Sequence, residues 1–273
     1  MSKGEPIRLA PSFLRKVWGA HDLRPWFEEN PEKIGEVWFP PPPSLPILVK
    51  FLFTSEPLSI QVHPGDEQAR AVGEIRGKHE MWHILRADAG ARIALGFREP
   101  VSHERLREAA ESGEIGQLLE WFPVAAGQVY NVPAGTVHAI GSGVALCEIQ
   151  QNSDVTYRLF DYGRGRELHL DQAMAAAVLE RHPGPVAADR ALVACPYFTV
   201  ERITLAGARI FPEERVGDQL FVLLSGCGTL NRAPFAPGEV WLVPQGDSPL
   251  EWQPAGLAQL LRVYQSARVV SGC

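Results

Sequence analysis

Pro57-Leu-Ser-Ile-Gln-Val-His-Pro64, taken with Gly127-Gln-Val-Tyr-Asn-Val-Pro-Ala-Gly-Thr-Val-His138, decides the fold. In the first stretch Ser59, Gln61 and His63 alternate with Leu58, Ile60 and Val62. On a β-strand that alternation sends the polar set to one face and the apolar set to the other. A barrel strand with Gln61 and His63 pointing inward carries two potential metal ligands on one face. The second stretch spaces Gly127, Pro133, Gly135 and His138 as a strand, a tight turn, and a histidine delivered to the next strand. Together the two stretches predict a metal site inside a small β-barrel.

Working outward, short β-type runs dominate. Ile47–Phe53, Leu58–His63, Glu80–Arg86, Arg92–Phe97, Gln128–Val132 and Ala145–Gln150 are mostly separated by turn residues, the pattern of an all-β barrel or sandwich. Pro40 to Pro43 is a proline run that no helix or central strand tolerates, so it reads as an extended connector. Ser102 to Ser112 and Ile115–Trp121 have helical composition, with Ser102 as N-cap, and predict a helical insertion near 102–121. Asp171–Arg181 reads as a further helix capped by Asp171, and His182-Pro-Gly-Pro185 as a linker. Strands then resume at Phe198–Leu205, Gln219–Ser225, Glu239–Pro244 and Gln259–Tyr264.

The chain also repeats itself. Gly127-Gln-Val-Tyr-Asn-Val-Pro-Ala-Gly-Thr-Val-His138 aligns with Gly238-Glu-Val-Trp-Leu-Val-Pro-Gln-Gly-Asp-Ser-Pro249, matching Gly, Val, aromatic, Val, Pro and Gly while Pro249 replaces His138. Two related barrels follow: residues 1–182 with the metal chemistry and the helical insertion, and residues 186–273 without metal ligands.

Composition bounds the function. The chain has 273 residues, 45% hydrophobic and 21% charged, with a net charge of −6, which suits a globular protein with a core. No basic stretch is dense enough for nucleic acid, so a small molecule is the expected partner. Cys147, Cys195, Cys227 and Cys273 are scattered without a CxxC pair, which argues against a cysteine zinc site or a disulfide framework and for a reduced, cytoplasmic setting. The start Met-Ser-Lys-Gly-Glu-Pro lacks an apolar signal core, and no apolar run is long enough to span a membrane.

Gly127-x5-Pro133-x-Gly135-x2-His138-x3-Ser142 resembles the second motif of cupins, whose fold is a jelly-roll barrel. The stretches Ile34-Gly-Glu-Val-Trp38, Lys50-Phe-Leu52, Leu58–Pro64, Gly77-Lys-His-Glu80, Glu148–Arg158 and Asp161-Tyr-Gly-Arg164 are similar to those of type I mannose-6-phosphate isomerases, especially their short bacterial branch. The resemblance covers about residues 15 to 165. It implies a zinc-dependent aldose–ketose isomerase, one divalent ion per chain, interconverting mannose 6-phosphate and fructose 6-phosphate. Longer members read Asn-His-Lys-Pro-Glu where this chain has Arg76-Gly-Lys-His-Glu80, so a role for that extra histidine does not transfer.

On this resemblance the metal ligands fall on Gln61, His63, Glu80 and His138, a donor set that suits zinc and accepts other divalent ions. Gln61 has an alternative use, hydrogen-bonding a sugar hydroxyl. Glu80 shares its strand face with Trp82 and Ile84, while His79 and His83 point the other way, to the surface or to a supporting role. Lys78 shares the Glu80 face and is either a substrate-facing cation or a solvated strand-edge lysine. Lys50 lies in an otherwise apolar strand and must find a partner, because an unpaired buried ammonium is costly. Lys50, Ser59 and Arg164 are the candidate phosphate contacts, Arg164 standing where longer members have lysine. Arg158 matches the family's catalytic arginine, with a salt bridge to Asp154 or Asp161 as the alternative. Glu148 is the candidate proton-transferring base, with Lys78 as the other choice; a partner to a histidine ligand is its bland role. Two rivals remain: a non-catalytic sugar-phosphate-binding cupin, and an iron oxygenase, whose facial triad has no need of phosphate-binding cations.

Overall fold

The computed structural model describes residues 4–187, 191–211, 217–246 and 249–266. In chain order the first half forms β1 (Ile7–Arg8), β2 (Ser12–Ala20), β3 (Ile34–Phe39), β4 (Ile47–Phe53), β5 (Ile60–Val62), α1 (Asp66–Ala71), β6 (Glu80–Ala87), β7 (Arg92–Phe97), α2 (His103–Ser112), α3 (Ile115–Leu118), β8 (Leu119–Pro123), β9 (Val129–Val132), β10 (His138–Ile140), β11 (Val144–Gln151), β12 (Tyr157–Phe160) and α4 (Leu170–Ala176). The second half adds β13 (Ala191–Ala194), β14 (Thr199–Leu205), β15 (Arg209–Phe211), β16 (Gln219–Ser225), β17 (Gly228–Leu230), β18 (Ala233–Phe235), β19 (Val240–Val243), β20 (Leu250–Pro254) and β21 (Ala258–Tyr264).

Four antiparallel sheets result. The first half holds a six-stranded sheet, β2-β3-β4-β11-β6-β9, facing a five-stranded one, β12-β5-β10-β7-β8. The second holds a six-stranded sheet, β1-β19-β16-β21-β14-β13, and a four-stranded one, β15-β20-β17-β18. Alternation explains the layers. Leu52, Trp82, Ile84, Leu95 and Leu146 fill the first barrel, while Val49, Phe51, Phe53, Met81, Cys147 and Ile149, on the reverse face of the same strands, pack against Val200, Leu220, Val222, Leu261 and Val263 of the second half. The two large sheets therefore share one core. α2, α3 and α4 cover the outer face of the small sheet through Leu106, Ile115, Ala173 and Met174.

This is the all-β, two-barrel arrangement with a helical insertion in the first. Three local expectations change. The Ile115–Trp121 helix stops at Leu118, because Leu119–Pro123 pairs with β7. The Asp171–Arg181 helix runs only Leu170–Ala176, with His169 rather than Asp171 at its N-cap. Its remainder is drawn out along the barrel, where the N–H of Val178 bonds Gly135 O and those of Phe97 and Val101 bond Glu180 O and Leu179 O. Residues 7 and 8, read from sequence as part of the first unit, extend the second half's sheet by pairing with β19.

Candidate metal centre and active site

Pro57–Pro64 and Gly127–His138 are hydrogen-bonded to each other: Gly135 N–H donates to His63 O at 2.8 Å. Gly135 has φ +90°, the left-handed turn that delivers His138 to β10. Gly77 does a second local job. A Cβ there would lie 2.5 Å from Pro64 O, so only glycine lets the segment that carries Lys78, just ahead of β6 rather than on it, close onto the His63-Pro64 turn. Asp66 Oδ1 accepts from Gly77 N–H at 2.8 Å and fixes that approach.

Strand register then assembles the site. Across the small sheet, Arg158 is opposite Gln61 and Gln61 is opposite His138. Across the large sheet the row runs Trp38, Lys50, Glu148, Trp82, Tyr130, and the next row places Gln150 opposite Glu80. Directly opposed residues share a face, so both rows point into the barrel from opposite walls.

His63, Glu80 and His138 offer ligand atoms all within 4.8 Å of one another, the one such group among the described residues. His63 Nδ1–H donates to Val155 O at 2.8 Å and His138 Nδ1–H to Thr136 O at 2.8 Å. Both Nε2 atoms are left as lone pairs, 3.4 and 3.3 Å from Glu80 Oε1. Burial holds both imidazoles below their ordinary pKa and hence neutral. His63 Nε2 and both Glu80 oxygens are buried without a hydrogen-bond partner. Such a convergence of electron pairs is unfavourable alone and suits a cation. Gln61 extends its NH2 to His138 Nε2 at 3.2 Å and accepts from Ser59 Oγ at 3.1 Å; with the amide turned over, its oxygen joins the convergence.

Beside this cluster Glu148 is buried. Its Oε2 accepts from Trp82 Nε1–H at 3.1 Å, and Oε1 lies 3.3 Å from Lys50 Nζ. Burial and the neighbouring Glu80 push the Glu148 carboxyl upward. Lys50 is pulled down by burial, but Glu148, Glu36, Asp154 and Glu80 outweigh that and hold it above its usual value. It is also stacked on Trp38, 4.3 Å from the ring centroid. Lys78 is 4% exposed with Nζ 3.9 Å from Glu80 Oε2, so it is no solvated edge residue. Arg158 pairs with neither Asp154 nor Asp161; its Nε is buried without a partner, and Asp161 is taken by Arg166. Arg164 donates to Pro57 O at 2.8 Å and pairs with Glu56 and Asp161.

His79 and His83 face away from the metal cluster, but neither lies at the surface. Both are buried between the halves, His79 against Tyr197 and Phe198. Sequence reading did not single out Gln150, which is fully buried with Oε1 unpartnered beside Glu80, nor Trp82, which binds Glu148. Strand alternation from Glu80 and Glu148 is the signal that finds them.

The fold and cluster define a two-barrel cupin with a His/Glu/His group able to hold a metal ion. The mannose-6-phosphate isomerase of Streptococcus mutans is 32% identical over 75% of this chain and 80% of its own, and ManA of Bacillus subtilis, also a mannose-6-phosphate isomerase, is 36% identical over 74% and 70%. The chain belongs to the mannose-6-phosphate isomerase family of aldose–ketose isomerases. The crystal structure of the Bacillus subtilis mannose 6-phosphate isomerase superposes with a TM-score of 0.84 at 27% identity, covering 95% of this chain and 99% of that one. A putative mannosephosphate isomerase from Archaeoglobus fulgidus shares the fold at a TM-score of 0.80 and 17% identity, over 97% and 98% of the two chains. No family sequence model matches the chain.

Proposed function

We propose that this chain interconverts mannose 6-phosphate and fructose 6-phosphate through an enediol, with one zinc ion held by His63, Glu80, His138 and Gln61. The observation that carries this reading is the buried convergence of His63 Nε2, His138 Nε2 and Glu80 Oε1 beside an elevated carboxyl, Glu148, and an arginine, Arg158, with an unpartnered Nε. The metal, when bound, supplies positive charge that polarises the sugar's oxygens and stabilises developing oxyanion character. Glu148 takes the proton from one carbon of the open-chain sugar and returns it to the neighbouring carbon. Trp82 Nε1–H and Lys50 hold the Glu148 carboxylate in place from opposite sides. Arg158 supplies fixed charge to the enediolate oxygen, and its guanidinium is not consumed by Asp154 or Asp161. Lys78 is the second cation of the site and the alternative base. Ser59 and Arg164 make the phosphate contacts, Arg164 sharing its guanidinium with Glu56 and Asp161, whereas the buried ion pair of Lys50 with Glu148 favours a positioning role for it over the phosphate clamp.

The chemistry belongs to residues 1–182, and residues 186–273 form the metal-free unit. The cytoplasm is the proposed compartment: Cys147, Cys195 and Cys227 are unpaired, and no helix among the described residues is long and apolar enough to cross a membrane. A coupled assay on the metal-loaded protein tests the reading. It expects fructose 6-phosphate from mannose 6-phosphate, with loss on chelation and recovery on adding zinc. Sugar-phosphate binding without turnover would make the protein a non-catalytic cupin.

A further inference from the structure

The second barrel repeats the first in register as well as topology. The first barrel's row Lys50, Glu148, Trp82, Tyr130 corresponds to Glu201, Arg262, Phe221, Trp241, and its row Gln150, Glu80, Val132 to Tyr264, Gln219, Val243. Arg262 thus stands where the first barrel has its proposed base, and Gln219 where it has its metal carboxylate. Deeper in the barrel the inward positions are largely apolar, with Phe221, Leu223, Trp241 and Trp252 in one hydrophobic cluster. Polar side chains are ordinary at a barrel mouth, but a buried and mutually bonded set is the informative case. Arg262 Nε–H donates to Gln219 Oε1 at 2.9 Å, its guanidinium lies 3.4 Å from Glu201, and it stacks 5.1 Å from the Tyr264 ring centroid. Gln219 is 5% exposed. Above these groups opens a cleft of about 570 Å³, also lined by Asp218, Gln245 and Ser44, the last from the proline-rich connector of the first half.

We propose that this cleft is a second, non-catalytic binding site for an uncharged polyhydroxylated molecule, a free sugar or polyol. Charge decides the class. Glu201 pairs with Arg262 and Asp218 adds a second negative charge to the lining, so among the described residues no net positive charge is left for a phosphate dianion. No His, Cys, Asp and Glu side chains among the described residues converge here to take a metal. What remains is fixed acceptors and donors for hydroxyls (Asp218, Gln219, Gln245, Arg262) and an aromatic neighbour, Tyr264, in a cleft large enough for a monosaccharide with its water. The site is independent of the isomerase reading, so its failure leaves that reading untouched.

Ligand-observed saturation-transfer NMR with millimolar mannose, fructose and mannitol, and inorganic phosphate as competitor, tests it on zinc-loaded wild-type protein and on three variants. His138→Ala disables the first barrel. Gly217→Trp fills the cleft, since Gly217 lines it and a Cβ there meets no atom within 4 Å. Gln219→Leu removes the buried amide and keeps an apolar side chain in its place. The expected result is binding of at least one of the three sugars or polyols that persists in His138→Ala and weakens at least about tenfold in both Gly217→Trp and Gln219→Leu. Turnover of mannose 6-phosphate by Gly217→Trp should stay within about twofold of wild type. Absence of any transfer, loss of binding in His138→Ala, persistence in Gly217→Trp, or displacement by phosphate would each overturn the proposal.

Discussion

At the residue scale, the metal group is an electrostatic problem that the chain leaves open. Nδ1 of each histidine is spent on a backbone carbonyl, so Nε2 has no proton to give Glu80, and the buried carboxylate accepts no hydrogen bond, with Lys78 Nζ at 3.9 Å as its partner in charge. Elemental analysis of purified protein should therefore find about one divalent ion per chain, and the double variant His63→Ala/His138→Ala essentially none. Retention of metal by the double variant would place the ion elsewhere. Glu148→Gln keeps the hydrogen bond to Trp82 and removes the proposed base. Metal content should hold, while turnover falls by roughly 10²–10⁴-fold and deuterium wash-in at C2 of mannose 6-phosphate disappears. Exchange that persists there but vanishes in Lys78→Met would make Lys78 the base. Arg158→Ala should lower turnover by roughly 10²–10³-fold with metal intact, and Arg158→Lys should recover part of it, because charge returns without the planar fork. A variant that lost only thermal stability would show a structural arginine.

At the element scale, strand pairing does the positioning. β11 carries Glu148 and Gln150, and its start is pinned by Thr54, whose hydroxyl donates to Gly141 O at 2.7 Å and accepts from Val144 N–H at 2.9 Å. Thr54→Val keeps the shape and strands both backbone groups in a buried place. It should cost about 1–3 kcal/mol, read as a lower urea midpoint at unchanged metal content; an unchanged midpoint would mean water or a shifted backbone satisfies them. The strands around Glu80, Arg92 and Val144 were legible because alternation and turn residues agree there. Leu119–Trp121 and Val178–Arg181 have a composition that permits a helix, so local sequence does not reveal their extended form. Pairing with β7 and bonds to Gly135 and Phe97, long-range partners, draw them out instead.

At the scale of the whole molecule, the two barrels are fused through the outer faces of their large sheets. His83 lies in that fused region, and burial, helped by Arg202, pushes it down to about 4. Its folded value lies below the roughly 6.5 of an unfolded histidine, so protons favour the unfolded chain. Stability from this group is intact above about pH 6.5 and is lost as pH falls toward 4, by at most about 3 kcal/mol. The acid limb of the stability curve should accordingly be shallower in His83→Gln. An identical slope in the two proteins would assign that limb to other groups.

Which residues face inward was determined by the sequence itself, because a strand has a period of two and each motif is contiguous. Ser59, Gln61 and His63, then Lys78 and Glu80, then Glu148 and Gln150 need no partner strand to declare a shared face, and the repeat of Gly127–Pro133 at Gly238–Pro244 announces the second barrel. Which of those inward groups meet was decided only by tertiary structure. Sequence leaves Lys50 free to bind phosphate and Arg158 free to bind Asp154. Register puts Lys50 opposite Glu148 and Arg158 opposite Gln61. It likewise turns the reverse faces of β4, β6 and β11 into a shared core that buries His79 and His83. Pairing between strands far apart in the chain depends on the closure of the whole sheet, and no local pattern records it.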